Sequence, residues 1–316
     1  MREIVIFGGS AHPSLTAEIC DTLNVPSSPV GMSRFSNDCL QVQLRANCRE
    51  ADVFLIQPLT PPVHEHLMEL LLMLDAARGA SAARTTAVIP YYGYARSDKK
   101  DAPRISIAAR LVADLLVTAG ASRVLTMTLH SPQVHGFFAI PVDHLNALQV
   151  LAQHFEGKDL SDTVVVSPDL GRAKEAAHLS QLLGLPVASA SKRRINDEEV
   201  VIDAIVGNVS GKNVIIIDDE IANGGTIVEL LGKLREQGAR TIRIVCTHGL
   251  FTGNAIEKLR GTSSYVSDII TTNTVPLAPD KRLPSMKVIS VAPLFAETIR
   301  RIHKGESVSS LFMEQV

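Results

Sequence analysis

Cysteine is sparse in this chain, and the four present, Cys20, Cys39, Cys48 and Cys246, are widely scattered and form no C-x-x-C pair. That excludes a disulfide framework and a cysteine zinc site, and implies reduced thiols in a cytoplasmic protein. An excess of charge of one sign is also missing: the formal net charge is −2. Nucleic acid therefore has no electrostatic footprint here beyond what a local basic patch would supply. Apolar stretches are interrupted well before membrane-spanning length. Met1-Arg2-Glu3 leads straight into Ile4–Phe7, a strand too short to be a secretory core, so no signal peptide is expected. What is present is 316 residues, 46% hydrophobic and 20% charged. That is enough for a sizeable core in two domains or one large one, and bulk disorder is excluded.

One stretch organises the rest. A β-branched run from Ile215 ends in Asp218-Asp219, and a loop of small residues, Ala222-Asn223-Gly224-Gly225-Thr226, then opens a helix. Glycines that let backbone N–H groups approach a ligand at a helix start make an anion cradle. Paired acids at a strand end can hold a polyol or a metal ion. The competing reading is an ordinary strand–turn–helix whose acids favour the helix N-terminus.

Around it the chain alternates strands and helices. Ile4–Phe7 is a strand followed by Gly8-Gly9-Ser10 and a helix over His12–Leu23. Ser33–Leu44 carries an Asn37-Asp38 turn pair and alternation after Cys39, the pattern of a hairpin. Phe35, just before the turn, is either a core residue or a stacking platform. Strand Val53–Ile56 precedes a helix that Pro61-Pro62 begins, with Leu67, Leu70, Leu71 and Leu74 at helical spacing. His64 and His66 in its first turn are read as facing solvent. Strand Thr85–Ile89 runs into Pro90–Asp101, a loop too rich in aromatics and charges to be a plain connector. After strand Arg123–Thr128 comes His130, either a turn cap or a ligand beyond a strand's carboxyl end. The alternation restarts past Asp143–Leu148 with strand Thr163–Val166, helix Arg172–Leu183 and strand Val187–Ala190. The charged run Ser191–Glu199 is either a solvated loop or a cationic loop that closes over phosphates. Two halves with one rhythm suggest duplication of one domain type.

Several stretches together resemble the ribose-phosphate diphosphokinase (phosphoribosyl pyrophosphate synthetase) family. They are Arg34-Phe35-Ser36, Leu67–Leu71, Ala87–Arg96, Val124–Met127 with His130, Gly136-Phe137-Phe138, Val166–Asp169, Lys192-Arg193-Arg194, the Asp218-Asp219 loop, Thr247-His248-Gly249 and Glu306–Phe312. They keep the family's order and span nearly the whole chain.

The resemblance implies an α/β fold of two phosphoribosyltransferase-like domains, each a mainly parallel sheet flanked by helices. The expected spans are 1–146 on the nucleotide side, 147–284 carrying the ribose phosphate and catalytic loops, and 285–316 packing back on the first domain. It implies transfer of the diphosphoryl group of ATP to the C1 hydroxyl of ribose 5-phosphate, with Mg²⁺ as cofactor, in a homo-oligomer that is usually a hexamer of dimers. By match to the family motifs, Lys192 and Arg194 meet the transferring group, and His130 and Asp169 are the metal ligands. Phe35, Asn37, Asp38, Cys39, Arg96 and Ser97 fall at the nucleotide, Phe35 coming from a neighbouring subunit. Arg194, Asp218 and Asp219 hold ribose 5-phosphate, with Ala222, Asn223, Gly224, Gly225 and Thr226 around its phosphate.

The chain also departs from the family. Its loop usually reads Asp-Asp-x-x-Asp-Thr-x-Gly-Thr, whereas Ala222 replaces the third acid and Asn223 a threonine. The hairpin tip carries Asn37, Asp38 and Cys39 where Asp-Gly-Glu is usual, which implies looser nucleotide choice. Ser97 stands for a glutamine and Thr128 for an aspartate. Leu170-Gly171-Arg172 follows Asp169 where a paired glycine is usual. Two other classes remain to weigh: a non-catalytic regulatory or assembly subunit, and a transferase that consumes phosphoribosyl pyrophosphate. The Lys-Arg-Arg run and the second domain argue against the latter.

Overall fold

The computed structural model describes residues 2–194 and 200–312, and the chain divides into two compact units, Met1–Asn146 with Val291–Val316, and Ala147–Ser290. In the first unit, β1 (Ile4–Gly8), α1 (Pro13–Leu23), β2 (Ser27–Ser28), β3 (Val30–Arg34), β4 (Leu40–Leu44), β5 (Asp52–Ile56), α2 (Val63–Gly79), β6 (Arg84–Ile89), α3 (Ala108–Ala119), β7 (Arg123–Met127) and β8 (Val142–Leu145) follow in order. Apolar runs such as Val53–Ile56 are buried on both faces, as strands covered by helices require. They form one parallel sheet in the order β2-β1-β5-β6-β7-β8. The helices supply the other half of the core, α2 through Leu70, Met73, Leu74 and Ala77 and α3 through Ala109, Val112, Ala113 and Leu116, spacings that put each set on one face. The antiparallel hairpin β3–β4 pairs Arg34 with Leu40 and stands apart as a two-stranded sheet over α2.

The second unit holds α4 (Leu148–Gln153), β9 (Thr163–Ser167), α5 (Ala173–Leu183), β10 (Val187–Arg194), β11 (Val200–Val206), β12 (Asn213–Ile221), α6 (Gly225–Glu236), β13 (Ile242–Gly249), α7 (Ala255–Arg260), β14 (Val266–Thr272) and β15 (Met286–Ile289). Its sheet runs β11-β10-β9-β12-β13-β14-β15, parallel throughout except for β11 against β10. Two expectations are corrected here. The strand expected to stop at Ala190 continues to Arg194, because the β-branched Val200–Ile202 provides an antiparallel partner, Lys192 lying opposite Ile202. The charged run therefore begins inside a strand, and its remainder, 195–199, lies outside the described residues. The segment expected to leave the second domain at 285 does so only after Ile289, since Met286–Ile289 is the last strand of this sheet.

From Val291 the chain belongs to the first unit, as α8 (Ala292–Lys304) and α9 (Ser309–Phe312). Phe295, Ala296, Ile299 and Ile302 make one apolar face of α8, which packs against α1. Arg84 and His303 meet at the buried carboxylate of Asp52. His66 is half-buried, and its Nδ1 lies 2.7 Å from the Thr60 carbonyl oxygen.

Candidate active site

In the second unit, charged side chains gather just past β9 and in the carboxyl-terminal parts of β10 and β12, three neighbours in the sheet. Such ends are where open α/β sheets bind ligands. Asp169, just past β9, accepts a hydrogen bond from the Arg172 backbone N–H at 3.0 Å and so caps a short turn. A Cβ at position 171 would lie 3.0 Å from Asp169 Oδ1, a tight contact with the end of that side chain. The other Asp169 oxygen pairs with the Lys192 ammonium. A bulge between Ser191 and Lys192 shifts the β10–β11 register immediately before that lysine, and bulges re-aim the side chains beside them.

One strand further, the twin acids lie near the carboxyl end of β12. Arg172, only 7% exposed, places Nη2 at 2.5 Å from Asp219 Oδ2 and Nη1 at 3.0 Å from Glu175 Oε1. Its Nε is 4.0 Å from Asp218 Oδ1, which also accepts the Asp219 N–H at 2.9 Å. Burial raises the Asp218 carboxyl well above the usual carboxylate range; the adjacent Asp219 charge adds to the rise and Arg172 opposes it.

The loop into α6 is tied down by its main chain. Ile221 O accepts from Leu250 N and Phe251 N, and Ala222 O from Thr252 N at 2.9 Å. Lys258 Nζ reaches Asn223 O at 3.3 Å, and the Asn223 side chain accepts from Gly225 N at 3.1 Å. Gly224 turns the chain with φ +72°, a conformation that glycine adopts without strain, and it gives α6 no side-chain cap. Thr226 lies in the first turn of that helix.

The first unit places the remaining expected residues. Phe35 is 53% exposed at the hairpin turn, which settles its two readings against a core role. Asp38 sits at φ +71° and pairs with Arg34 at 2.6 Å, while Asn37 Oδ1 accepts from Cys39 N at 3.3 Å. Cys39 and Arg96 are exposed. Ser97 Oγ accepts from Ala108 N at 3.1 Å, the first residue of α3, so this serine serves the helix start. His130 follows the turn that ends β7, where Thr128 adopts φ +43° and His144 Nε2 accepts from Leu129 N at 2.8 Å. The expected role of Arg194 rests on a side chain outside the described set.

Comparison with known proteins adds an independent measure. A family profile described as the N-terminal domain of ribose phosphate pyrophosphokinase matches residues 4–120, and one for a phosphoribosyl synthetase-associated domain matches residues 174–313. A Streptomyces coelicolor protein, named provisionally as a ribose-phosphate pyrophosphokinase, is 61% identical over 312 residues, 99% of this chain and 98% of its own. The ribose-phosphate pyrophosphokinase of Deinococcus radiodurans is 49% identical over 315 residues, 98% of each chain. This chain belongs to the ribose-phosphate pyrophosphokinase family. The crystal structure of phosphoribosylpyrophosphate synthetase from Mycobacterium smegmatis, 40% identical, superposes with a TM-score of 0.90 over 96% of this chain and 100% of that one. The fold is thus the family's two phosphoribosyltransferase-like domains, each with a mainly parallel sheet flanked by helices. Within this family member, Arg172 is the residue that sequence reasoning missed. Its only signal was a departure, an arginine soon after Asp169 where a paired glycine is usual, and nothing local says that it reaches β12.

Proposed function

We propose that this family member is an active ribose-phosphate diphosphokinase, transferring the β,γ-diphosphoryl group of ATP to the C1 hydroxyl of ribose 5-phosphate to give phosphoribosyl pyrophosphate and AMP. The observation that carries the reading is the Lys192–Asp169 pair at the same sheet end as Asp218 and Asp219. Diphosphoryl transfer needs little covalent help from a protein; it needs positioning and neutralisation of developing charge. Asp218-Asp219 would hold the ribose hydroxyls, and Ala222–Thr226 would wrap the 5-phosphate against the first turn of α6, whose leading N–H groups have no intrahelical partner. Lys192 and Arg194 would meet the transferring group. The C1 oxygen then bonds to the β-phosphorus and its hydroxyl proton passes to solvent, while the bond from that phosphorus to the α–β bridging oxygen breaks and AMP departs with that oxygen.

Asp169 offers the oxygen donor that Mg²⁺ prefers, with His130 as the second expected ligand. Among the described residues no group of three or more His, Cys, Asp or Glu gathers into a cage. That donor set suits an ion completed by phosphate oxygens and water, and when bound the ion neutralises charge on the phosphates. Phe35, Asn37, Asp38, Cys39, Arg96 and Ser97 would form the nucleotide side, with sites shared between subunits of a cytoplasmic homo-oligomer, a hexamer in the usual arrangement. No helix among the described residues is long and apolar enough to cross a membrane.

Ala222, which removes an acid from the phosphate loop, favours a second reading as a non-catalytic assembly subunit. One assay separates the two: AMP formation from ATP and ribose 5-phosphate with Mg²⁺ supports the enzyme, and no AMP from the pure protein, with AMP only on mixing with an active relative, supports the assembly subunit.

A further inference from the structure

We infer that Arg172 is a positioning residue for ribose 5-phosphate: by holding Asp219 as its buried partner it fixes the end of β12 so that Asp218 is the acid that meets the sugar hydroxyls. This rests on the reading above, and it divides between the two acids a role that the motif gives to both. Their surroundings differ. The Asp219 side chain is 5% exposed and lies 2.5 Å from the guanidinium; the Asp218 side chain is 15% exposed and stays 4.0 Å away. One carboxylate is thus committed to a fixed cation and the other is left open on one side.

Arg172 is itself held from two directions. Its backbone N–H is capped by Asp169 at 3.0 Å, and Glu175 on α5 takes Nη1 at 3.0 Å. The guanidinium therefore links the turn that carries Asp169, the first turn of α5 and the tip of β12 in one frame. A planar fork of five donors can serve two carboxylates at set angles, whereas a lysine ammonium on a flexible stem cannot reproduce that geometry. A glycine in this place would remove the guanidinium from Asp219, so the departure after Asp169 has a structural consequence one strand away.

The test uses the full-length protein with Arg172→Lys, Arg172→Ala, Asp218→Asn and Asp219→Asn. Thermal melting establishes which variants fold, and calorimetry with ribose 5-phosphate is run beside kinetics in which each substrate is varied. Folded Arg172→Lys should show Kd and KM for ribose 5-phosphate raised at least ~10-fold, with KM for ATP within about 2-fold, a split that general loosening does not produce. Should Arg172→Ala fail to fold, Arg172→Lys and the asparagine pair still decide. Asp218→Asn should weaken ribose 5-phosphate binding more than Asp219→Asn does. An Arg172→Lys protein with parental affinity, an equal shift for both substrates, or the reverse ranking of the two asparagine variants overturns the inference. A parent that binds ribose 5-phosphate yet forms no AMP overturns the activity reading alone.

Discussion

The Lys192 ammonium lies on the carboxylate of Asp169, whose other oxygen caps the turn after β9. The cation proposed for the transferring group is thus held by the acid proposed for the metal. Were Asp169 to hold Mg²⁺, its charge would no longer be available to Lys192, whose ammonium could then neutralise charge on the phosphates. Lys192→Ala should lower turnover by about 10³-fold or more, by analogy with arginine-finger losses, while both substrates still bind. Single-turnover kinetics and calorimetry check this; near-normal turnover removes the residue from the reaction. Asp169→Asn should raise the Mg²⁺ concentration for half-maximal rate at least ~10-fold, as losses around metal ligands do.

Cys39 at the hairpin tip is the exposed cysteine, whereas Cys20, Cys48 and Cys246 are buried. Burial raises the thiols of Cys20 and Cys48, and pushes that of Cys246 up to about 12, so few thiolates are available inside. A thiol reagent should therefore modify one cysteine per native chain and four after denaturation. ATP should slow the native reaction if the hairpin carries the nucleotide. Rapid modification of a second native thiol contradicts the first expectation, and labelling indifferent to ATP contradicts the second.

The central strands were readable because unbroken apolar runs, Val53–Ile56 on β5 and Val214–Ile217 on β12, have few alternatives to a buried parallel strand. The extension of β10 was hidden because Lys192-Arg193-Arg194 looks solvated until Val200–Ile202 is paired beside it. Phe35 illustrates a limit of another kind: an isolated aromatic before a turn fits both core and surface, and only the hairpin's separation from the main sheet decides. Of the site, the strand-end residues were visible as motifs. Arg172 was not, since its meaning lies in contacts with Asp219, distant in sequence and one strand across the sheet.

Glu297 on α8 accepts from Arg300 and Arg301, and the hydrogen bond from Arg300 is the largest cause that holds its carboxyl down to about 2, against an ordinary 4.5. The folded value lies below the unfolded one, so the contribution to stability is present above about pH 4.5 and is lost as pH falls through about 2. These groups are partly exposed, so Glu297→Gln should cost only ~0.5 kcal/mol at neutral pH. Urea unfolding at a series of pH values should show that cost vanishing in acid. A cost that grows on acidification has the wrong sign for this assignment.

Asp52, at the start of β5, is fully buried, and its Oδ2 is shared between Arg84 and His303 Nδ1, the latter at 2.9 Å. Arg84 Nη2 also reaches the His303 carbonyl at 3.2 Å, near the negative end of the α8 dipole. Asp52 Oδ1 and Arg84 Nε are buried without a hydrogen-bond partner among the described residues, so this clamp is incompletely satisfied. Removing one partner should cost more than removing both, because a lone buried carboxylate is worse than an apolar filling. Arg84→Ala should destabilise by about 2–3 kcal/mol, below the ~3–5 of a fully buried broken pair because His303 remains and Arg84 is partly exposed. The double change Asp52→Leu with Arg84→Met should recover most of that loss. Chemical denaturation followed by far-UV circular dichroism measures both, and a double variant less stable than Arg84→Ala alone would show that the carboxylate contributes more than its burial costs.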